Sequence, residues 1–229
     1  MGVLMLTISD GHDISPRYLL SQNELQRHDA VNRQMFRGAL YTEGKGYARN
    51  RNLAVADFLN HDHEWAWFVD ADQVLRPDTL DRLLDCAVEH DSLIVGALIA
   101  IIGPDRPIPN LYFDNDAGPG RFTTPLDYPD EPVAVGATGA GCLLIHRSVL
   151  ETMRSEQGHD HWFGDTLHPG ADGELCQTGE DLSFCLAARR HRYRIVVDCT
   201  THVGHHKDNR VWWPEDCRRP FYEPAGEVA

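Results

Sequence analysis

No apolar run in this chain is long enough to cross a bilayer. The longest, Ile94–Ile102, falls far short of the roughly 20 residues a spanning helix needs. The apolar start, Met1–Ile8, lacks the basic region that opens a secretory leader, so none is expected. There is also no Cys-x-x-Cys pair. The six cysteines are scattered at 86, 142, 176, 185, 199 and 217, a pattern of free thiols rather than of a disulfide framework, and a cytoplasmic setting is expected. Basic residues are scarce: 21 Lys and Arg stand against 35 Asp and Glu, a formal charge of −14. That balance argues against nucleic acid as a broad partner. It leaves room for a single nucleotide, whose phosphates need only a metal and one or two local cations. No Gly-rich loop carries the Lys-Ser/Thr ending of a P-loop, and no internal repeat or separating linker is visible.

The most informative stretch present is Trp-Ala-Trp-Phe-Val-Asp-Ala-Asp at 65–72. A short apolar run reads as a buried strand of a parallel sheet. It ends in two carboxylates one residue apart, where open α/β sheets bind their ligands. Two acids so close repel unless a cation sits between them, so Asp70 and Asp72 suggest a divalent metal that holds a diphosphate. The alternative is a pair of turn or cap residues.

The surrounding pattern alternates. Val3–Ile8 reads as a strand, Ser15-Pro16 opens a helix to about residue 28, and Gly38–Tyr41 is a weak strand. Tyr47–Leu59 reads as a helix with Leu53, Ala56 and Leu59 toward the core. Pro77 begins a helix whose Leu80, Leu83, Leu84, Ala87 and Val88 keep a helical spacing, and Leu93–Ile101 is a buried strand. This β-α-β-α-β-α order implies a parallel sheet. After residue 102 the chain is richer in loops, with strands expected at 110–113, 133–137 and 142–146, a short helix at 148–154 and a long polar loop at 158–179. A helix then starts at Glu180, a last strand covers Tyr193–Asp198, and an exposed tail begins near Pro214.

Several groups carry candidate chemistry. His202, His205 and His206 follow the expected last strand and could meet Asp70 and Asp72 at one sheet edge, or form a zinc site with Cys199, or be surface residues. Glu180-Asp181 opens a helix, where acids suit the dipole and could equally serve as a general base. Lys45, Arg49 and Arg51 stand near a helix start, a diphosphate site or a solvated basic face. Gly136–Gly141 reads as a tight turn or a close approach to a ligand. Trp162, Phe163, Trp212 and Trp213 are core residues or a sugar-stacking lid.

Taken together the residues resemble a GT-A fold glycosyltransferase over about residues 3–207. The resemblance is carried by Ala48-Arg49-Asn50, Phe68-Val69-Asp70-Ala71-Asp72, Gly139-Ala140-Gly141-Cys142-Leu143-Leu144-Ile145, Gly179-Glu180-Asp181-Leu182-Ser183-Phe184 and Thr201-His202-Val203-Gly204-His205. The last two look like the paired motifs of polypeptide N-acetylgalactosaminyltransferases, and family-2-like transferases of bacteria and their phages share the plan. The resemblance implies one α/β, Rossmann-like GT-A domain over 1–213 with a mostly parallel central sheet. Its nucleotide-binding half would span about 1–102 and its loop-rich acceptor half about 103–213, with a tail at 214–229. It implies a DXD motif in which Asp72 binds Mn²⁺ or Mg²⁺ with His205, while Asp70 sits near the metal and the ribose. Thr7, Ser9 and Arg49 would neighbour the nucleotide, and Asp181, beside Glu180, would be the base of an inverting enzyme. The donor would be a nucleoside-diphosphate sugar, a UDP-sugar first among them, and the acceptor a glycan, protein or small-molecule hydroxyl. A sugar-phosphate nucleotidyltransferase and a nucleotide-sugar binding protein without catalysis are the rival readings. The turn after the first strand lacks the basic loop expected of the former.

Overall fold

The structure, a computed structural model, describes residues 2–9, 11, 14–103, 105–115, 120–158, 160–169 and 175–218. The turn after the first strand (10, 12 and 13) and the tail beyond 218 therefore lie outside the described residues. In chain order the elements are β1 (Val3–Ile8), α1 (Pro16–Asn32), β2 (Phe36–Thr42), α2 (Tyr47–Phe58), β3 (Trp65–Asp70), β4 (Gln73–Val74), α3 (Thr79–Glu89) and β5 (Ile94–Ile102). There follow β6 (Pro107–Pro109), β7 (Leu111–Asp114), β8 (Phe122–Thr123), β9 (Val133–Ala134), β10 (Ala137–Thr138), β11 (Cys142–His146) and α4 (Arg147–Gln157). Last come β12 (Thr166–Pro169), β13 (Leu175–Thr178), α5 (Glu180–Arg190), β14 (Val196–Lys207), β15 (Arg210–Trp212) and α6 (Glu215–Arg218).

The central sheet runs β15-β14-β5-β11-β3-β1-β2. β1 is parallel to both β2 and β3, and β5 is parallel to β14. β11 is wedged between β3 and β5, antiparallel to each. This is the α/β GT-A architecture: a mostly parallel core with strand ends gathered at one edge. Every residue of β1 is buried, as are Ala66–Val69 and Ile94–Ala100. Continuous apolar runs are what strands covered on both faces require. One core layer holds Phe58, Phe68, Phe163 and Phe184; the other holds Trp67, Val69, Leu83 and Leu144.

Four expectations need correction. On α2 the inward face is centred on Asn50, Arg51, Ala54, Val55 and Phe58; Ala56 and Leu59 are half-buried against the core as expected, whereas Leu53 is exposed. Two polar side chains drawn in by the site set that face. On α3, Val88 points to solvent. The last strand does not stop at Asp198; β14 continues to Lys207 after a register irregularity between Asp198 and His202, so the three histidines lie on a strand. The chain after Pro214 is not simply exposed, because α6 buries Asp216 and Cys217.

Candidate functional site

β3 delivers Asp70 to the sheet edge, and the next two residues are fastened there by the backbone. The Asp70 amide donates to the Gly141 carbonyl (3.0 Å) and the Ala71 amide to the Ile8 carbonyl (2.9 Å). The Asp72 carbonyl accepts from the His206 amide at 2.8 Å. β4 pairs with β14 so that Gln73 lies opposite His205. Asp72 Oδ1 accepts from Gln73 Nε2 (2.8 Å), and Asp72 Oδ2 lies 3.2 Å from His205 Nε2.

The protonation of His205 follows from its neighbours. Nδ1 lies 3.1 Å from the Ala100 carbonyl oxygen, which can only accept, so Nδ1 carries hydrogen. Nε2 faces a carboxylate oxygen. It must carry a proton too, or present a lone pair that shares a cation with Asp72. Burial, the largest single influence, works against charge on His205, but the hydrogen bond and charge of Asp72 and the bond to the Ala100 carbonyl together outweigh it and raise the pKa. Burial likewise pushes the Asp72 carboxyl up, and the hydrogen bond and charge of His205, with the Gln73 and backbone bonds, together more than reverse that.

Asp70 sits in different company. Its Oδ2 accepts from Arg51 Nη2 at 3.2 Å, and its buried Oδ1 has no hydrogen-bond partner among the described residues. Burial lifts its pKa to about 7 against the pull of Arg51, with Asp72, Asp181 and Glu180 adding to the rise. Glu180 and Asp181 form the first turn of α5. The Glu180 carboxyl is raised by burial and by Asp181, and Arg51 opposes the shift. Asp181 Oδ1 accepts from the Leu182 amide, leaving Oδ2 without a hydrogen bond among the described residues. The Gly139-Ala140-Gly141 turn runs between these acids. A Cβ on Gly141 would lie 3.6 Å from Asp70 Oδ2, and one on Gly139 would lie 3.5 Å from Asp181 Oδ2. The glycines allow close backbone approach.

A cavity of about 450 Å³ opens beside this edge, lined among others by Ser9, Ser15, Tyr47, Asp70, Asp72, His206 and Lys207. Ser15 caps α1 through the Arg17 amide (3.2 Å) and meets His206 Nδ1 at 3.0 Å. A larger concavity at the end of α4, around Arg154 and Asp160, contains none of these groups.

The expected residues divide. Ser9, Asp70 and Asp72 line the cavity. Thr7 is buried and bonds Tyr18 Oη at 2.6 Å, so its hydroxyl is used inside the protein. Arg49 is exposed and off the cavity lining, whereas Arg51, two residues on, is the buried arginine at Asp70. His202 leaves the site: its Nδ1 meets Glu215 (2.8 Å) and its Nε2 the Cys199 carbonyl (3.0 Å). Trp162 and Phe163 are core residues, Phe163 stacking on Phe184 at 4.6 Å between ring centroids. Trp212 and Trp213 are covered by Arg210 and Arg76.

Two residues passed over in the sequence also belong here. Asn50 Nδ2 donates to the Ser9 carbonyl at 2.8 Å, and Gln73 orients Asp72. Neither type signals a site by itself; the available clue was place, Asn50 within Ala48-Arg49-Asn50 and Gln73 directly after Asp72.

Among the described residues no group of three or more acid, His or Cys side chains is gathered to hold an ion, so the trio Asp70, Asp72 and His205 is not a ready cage. The pair Asp72–His205 does fit a borderline divalent cation, with remaining positions open to ligand oxygens. The orphaned Asp70 Oδ1 beside it is a further unmet acceptor.

A mostly parallel sheet with an acid pair at its edge and helix-borne acids opposite defines a GT-A glycosyltransferase. Residues 24–154 match the model of glycosyl transferase family 2. The chain belongs to that family and is a glycosyltransferase. Its fold is similar to that of A197 from STIV, with TM-score 0.62 and 18% identity over 94% of this chain and 92% of that one. It is also similar to S. aureus TarS 1-349, solved in complex with UDP-GlcNAc, with TM-score 0.50 and 13% identity over 96% of this chain and 62% of that one. No curated protein matches the chain in sequence. Among the described residues no helix is long and apolar enough to cross a membrane.

Proposed function

We propose that this enzyme moves a sugar from a nucleoside-diphosphate sugar, with a UDP-sugar as the first candidate, to an acceptor hydroxyl. The donor occupies the cavity beside Asp70 and Asp72. The observation that carries the reading is the 3.2 Å approach of Asp72 Oδ2 to His205 Nε2 next to that cavity. The two would hold Mn²⁺ or Mg²⁺, with Asp70 adjacent. Such a cation, when bound, neutralises charge on the departing diphosphate.

The chain's own residues do the rest. Ser9 and Tyr47 border the nucleotide and Lys207 adds positive charge to the rim. Residues from about 1–102 thus contribute most of the donor side, and 103–213 add Glu180, Asp181 and the histidine strand. Asp181 Oδ2, free of hydrogen bonds among the described residues, takes the proton of the incoming hydroxyl in an inverting reaction. TarS, solved with UDP-GlcNAc, supports a nucleotide-sugar donor on this fold.

A thermal-shift panel of nucleotide sugars, run with and without Mn²⁺, tests the reading. Ligand that binds the folded state raises Tm by mass action. One donor should stand out, and only with metal. A flat panel with every donor would sink the proposal.

A further inference from the structure

Arg51 is the only buried Lys or Arg among the described residues, 3% exposed. It projects from the first turns of α2 into a group of acids. Nη2 bonds Asp70 Oδ2 at 3.2 Å, and Nε lies 4.0 Å from Glu180 Oε1. Tyr47, one turn earlier and on the cavity wall, places its ring 5.4 Å from the guanidinium carbon. Nε and Nη1 are buried without hydrogen-bond partners among the described residues.

A buried cation with idle donors is a poor way to stabilise a protein. Replacing a buried ion pair with apolar groups is often neutral or stabilising. The position therefore points to the site. Asp70, Asp72, Glu180 and Asp181 all act on one another's neighbourhood, and Arg51 is the single buried side-chain cation among them. It joins an acid on the donor side, at the end of β3, to one on the acceptor side, at the start of α5. The Nε–Glu180 gap is about 1 Å longer than a hydrogen bond, so a small inward shift of α5 would satisfy both groups.

Resting on the glycosyltransferase reading above, the geometry points to Arg51 as a positioning residue. It occupies one oxygen of Asp70 and anchors Glu180, which keeps Asp70 from adding its full charge to the cation site and reserves Asp181 for the acceptor. The claim has a signature that a purely structural role lacks. Removing Arg51 makes the acid cluster more negative. A bare cation should then bind as well or better, while a nucleoside diphosphate, itself an anion, should bind worse.

The test is calorimetric titration of the full chain with Mn²⁺ alone, and with UDP, GDP and dTDP each in the presence of Mn²⁺. For Arg51→Met, the nucleotide Kd should rise by at least about tenfold, the scale of one lost charge-assisted hydrogen bond, with Mn²⁺ alone unchanged or tighter. Arg51→Lys should recover most of the nucleotide affinity. Glu180→Gln, which removes a negative charge from the same cluster, should act in the opposite sense, tightening nucleotide by a few-fold with Mn²⁺ alone unchanged or weaker, and serves if Arg51→Met fails to fold. Nucleotide affinity unchanged in Arg51→Met or Glu180→Gln overturns the inference, as does parallel loss of nucleotide and Mn²⁺ in a folded Arg51→Met. A wild-type protein that binds none of the three nucleotides overturns the transferase reading itself, a result readily told apart from the others.

Discussion

Asp72 and His205, separated by 133 positions in sequence, bring a carboxylate oxygen and an imidazole nitrogen to within 3.2 Å. Two strands make the meeting possible: β4 follows Asp72 directly and pairs with β14 in a register that sets Gln73 opposite His205. The contact is thus written into backbone hydrogen bonding.

His205→Ala and Asp72→Ala should each weaken Mn²⁺-dependent nucleotide binding by at least about tenfold, because each removes a donor from a two-donor site. Circular dichroism should show the fold retained. Wild-type affinity in either variant, measured by titration calorimetry, would remove the cation from this location.

Gly204 precedes His205 with no room for a side chain. A Cβ there would meet Val211 Cγ1 at 2.6 Å and the Trp213 ring at 3.1 Å. Gly204→Ala should force β15 away from β14 and cost about 1–3 kcal/mol, as overpacking does, read as a lower midpoint in urea. It should also weaken Mn²⁺ binding, since His205 is the next residue.

Acid should loosen the contact between α6 and β14. Burial pushes the Glu215 carboxyl up, but its hydrogen bond with His202, a backbone hydrogen bond and the charges of His202 and Arg76 together prevail and hold it below the usual glutamate value. A carboxyl depressed in the folded state stabilises fully above its unfolded pKa, near 4.5, and loses that contribution as pH falls through the folded value. Thermal melts from pH 6 down to about pH 3 should therefore show a steeper fall for wild type than for Glu215→Gln. Parallel curves would dismiss the link.

The thiols should divide sharply. Burial pushes Cys86, Cys142, Cys185, Cys199 and Cys217 up to about 12, whereas Cys176 is partly exposed beside Arg121. At pH 8 a disulfide reagent should titrate one thiol in the native protein and six after denaturation. Rapid native reaction of several thiols would contradict the packing.

Much of the frame was legible in the sequence, because buried parallel strands are simple to read. Val3–Ile8 and Cys142–His146 have their expected limits, and the Trp65–Asp70 strand ends on the acid pair as anticipated. Ser15-Pro16 and Glu180 announced two helix starts through capping and dipole preferences. The faces of polar elements were less visible. α2 buries Asn50 and Arg51 while exposing Leu53, so hydrophobicity marked only part of the inward face, and the resemblance gave the nucleotide to Arg49 although Arg51, a candidate beside it, is the arginine at the acid pair. The far half of β14 is built mostly from Thr, His and Gly, with Val203 as its one apolar residue, and follows a register shift. It has no apolar alternation to betray a strand, and only that alternation would have separated the roles of His205 and His206.

The wedge position of β11 has a bearing on how the molecule can be taken apart. A fragment ending near 102 would keep β3 and β5 but lose the strand that lies between them and hydrogen-bonds to both. Two raw strand edges would then flank an empty slot at the middle of the sheet. The segments before and after residue 102 are interlocked pieces of one sheet, and specificity in this chain would have to be re-engineered by exchanging loops, never by swapping halves.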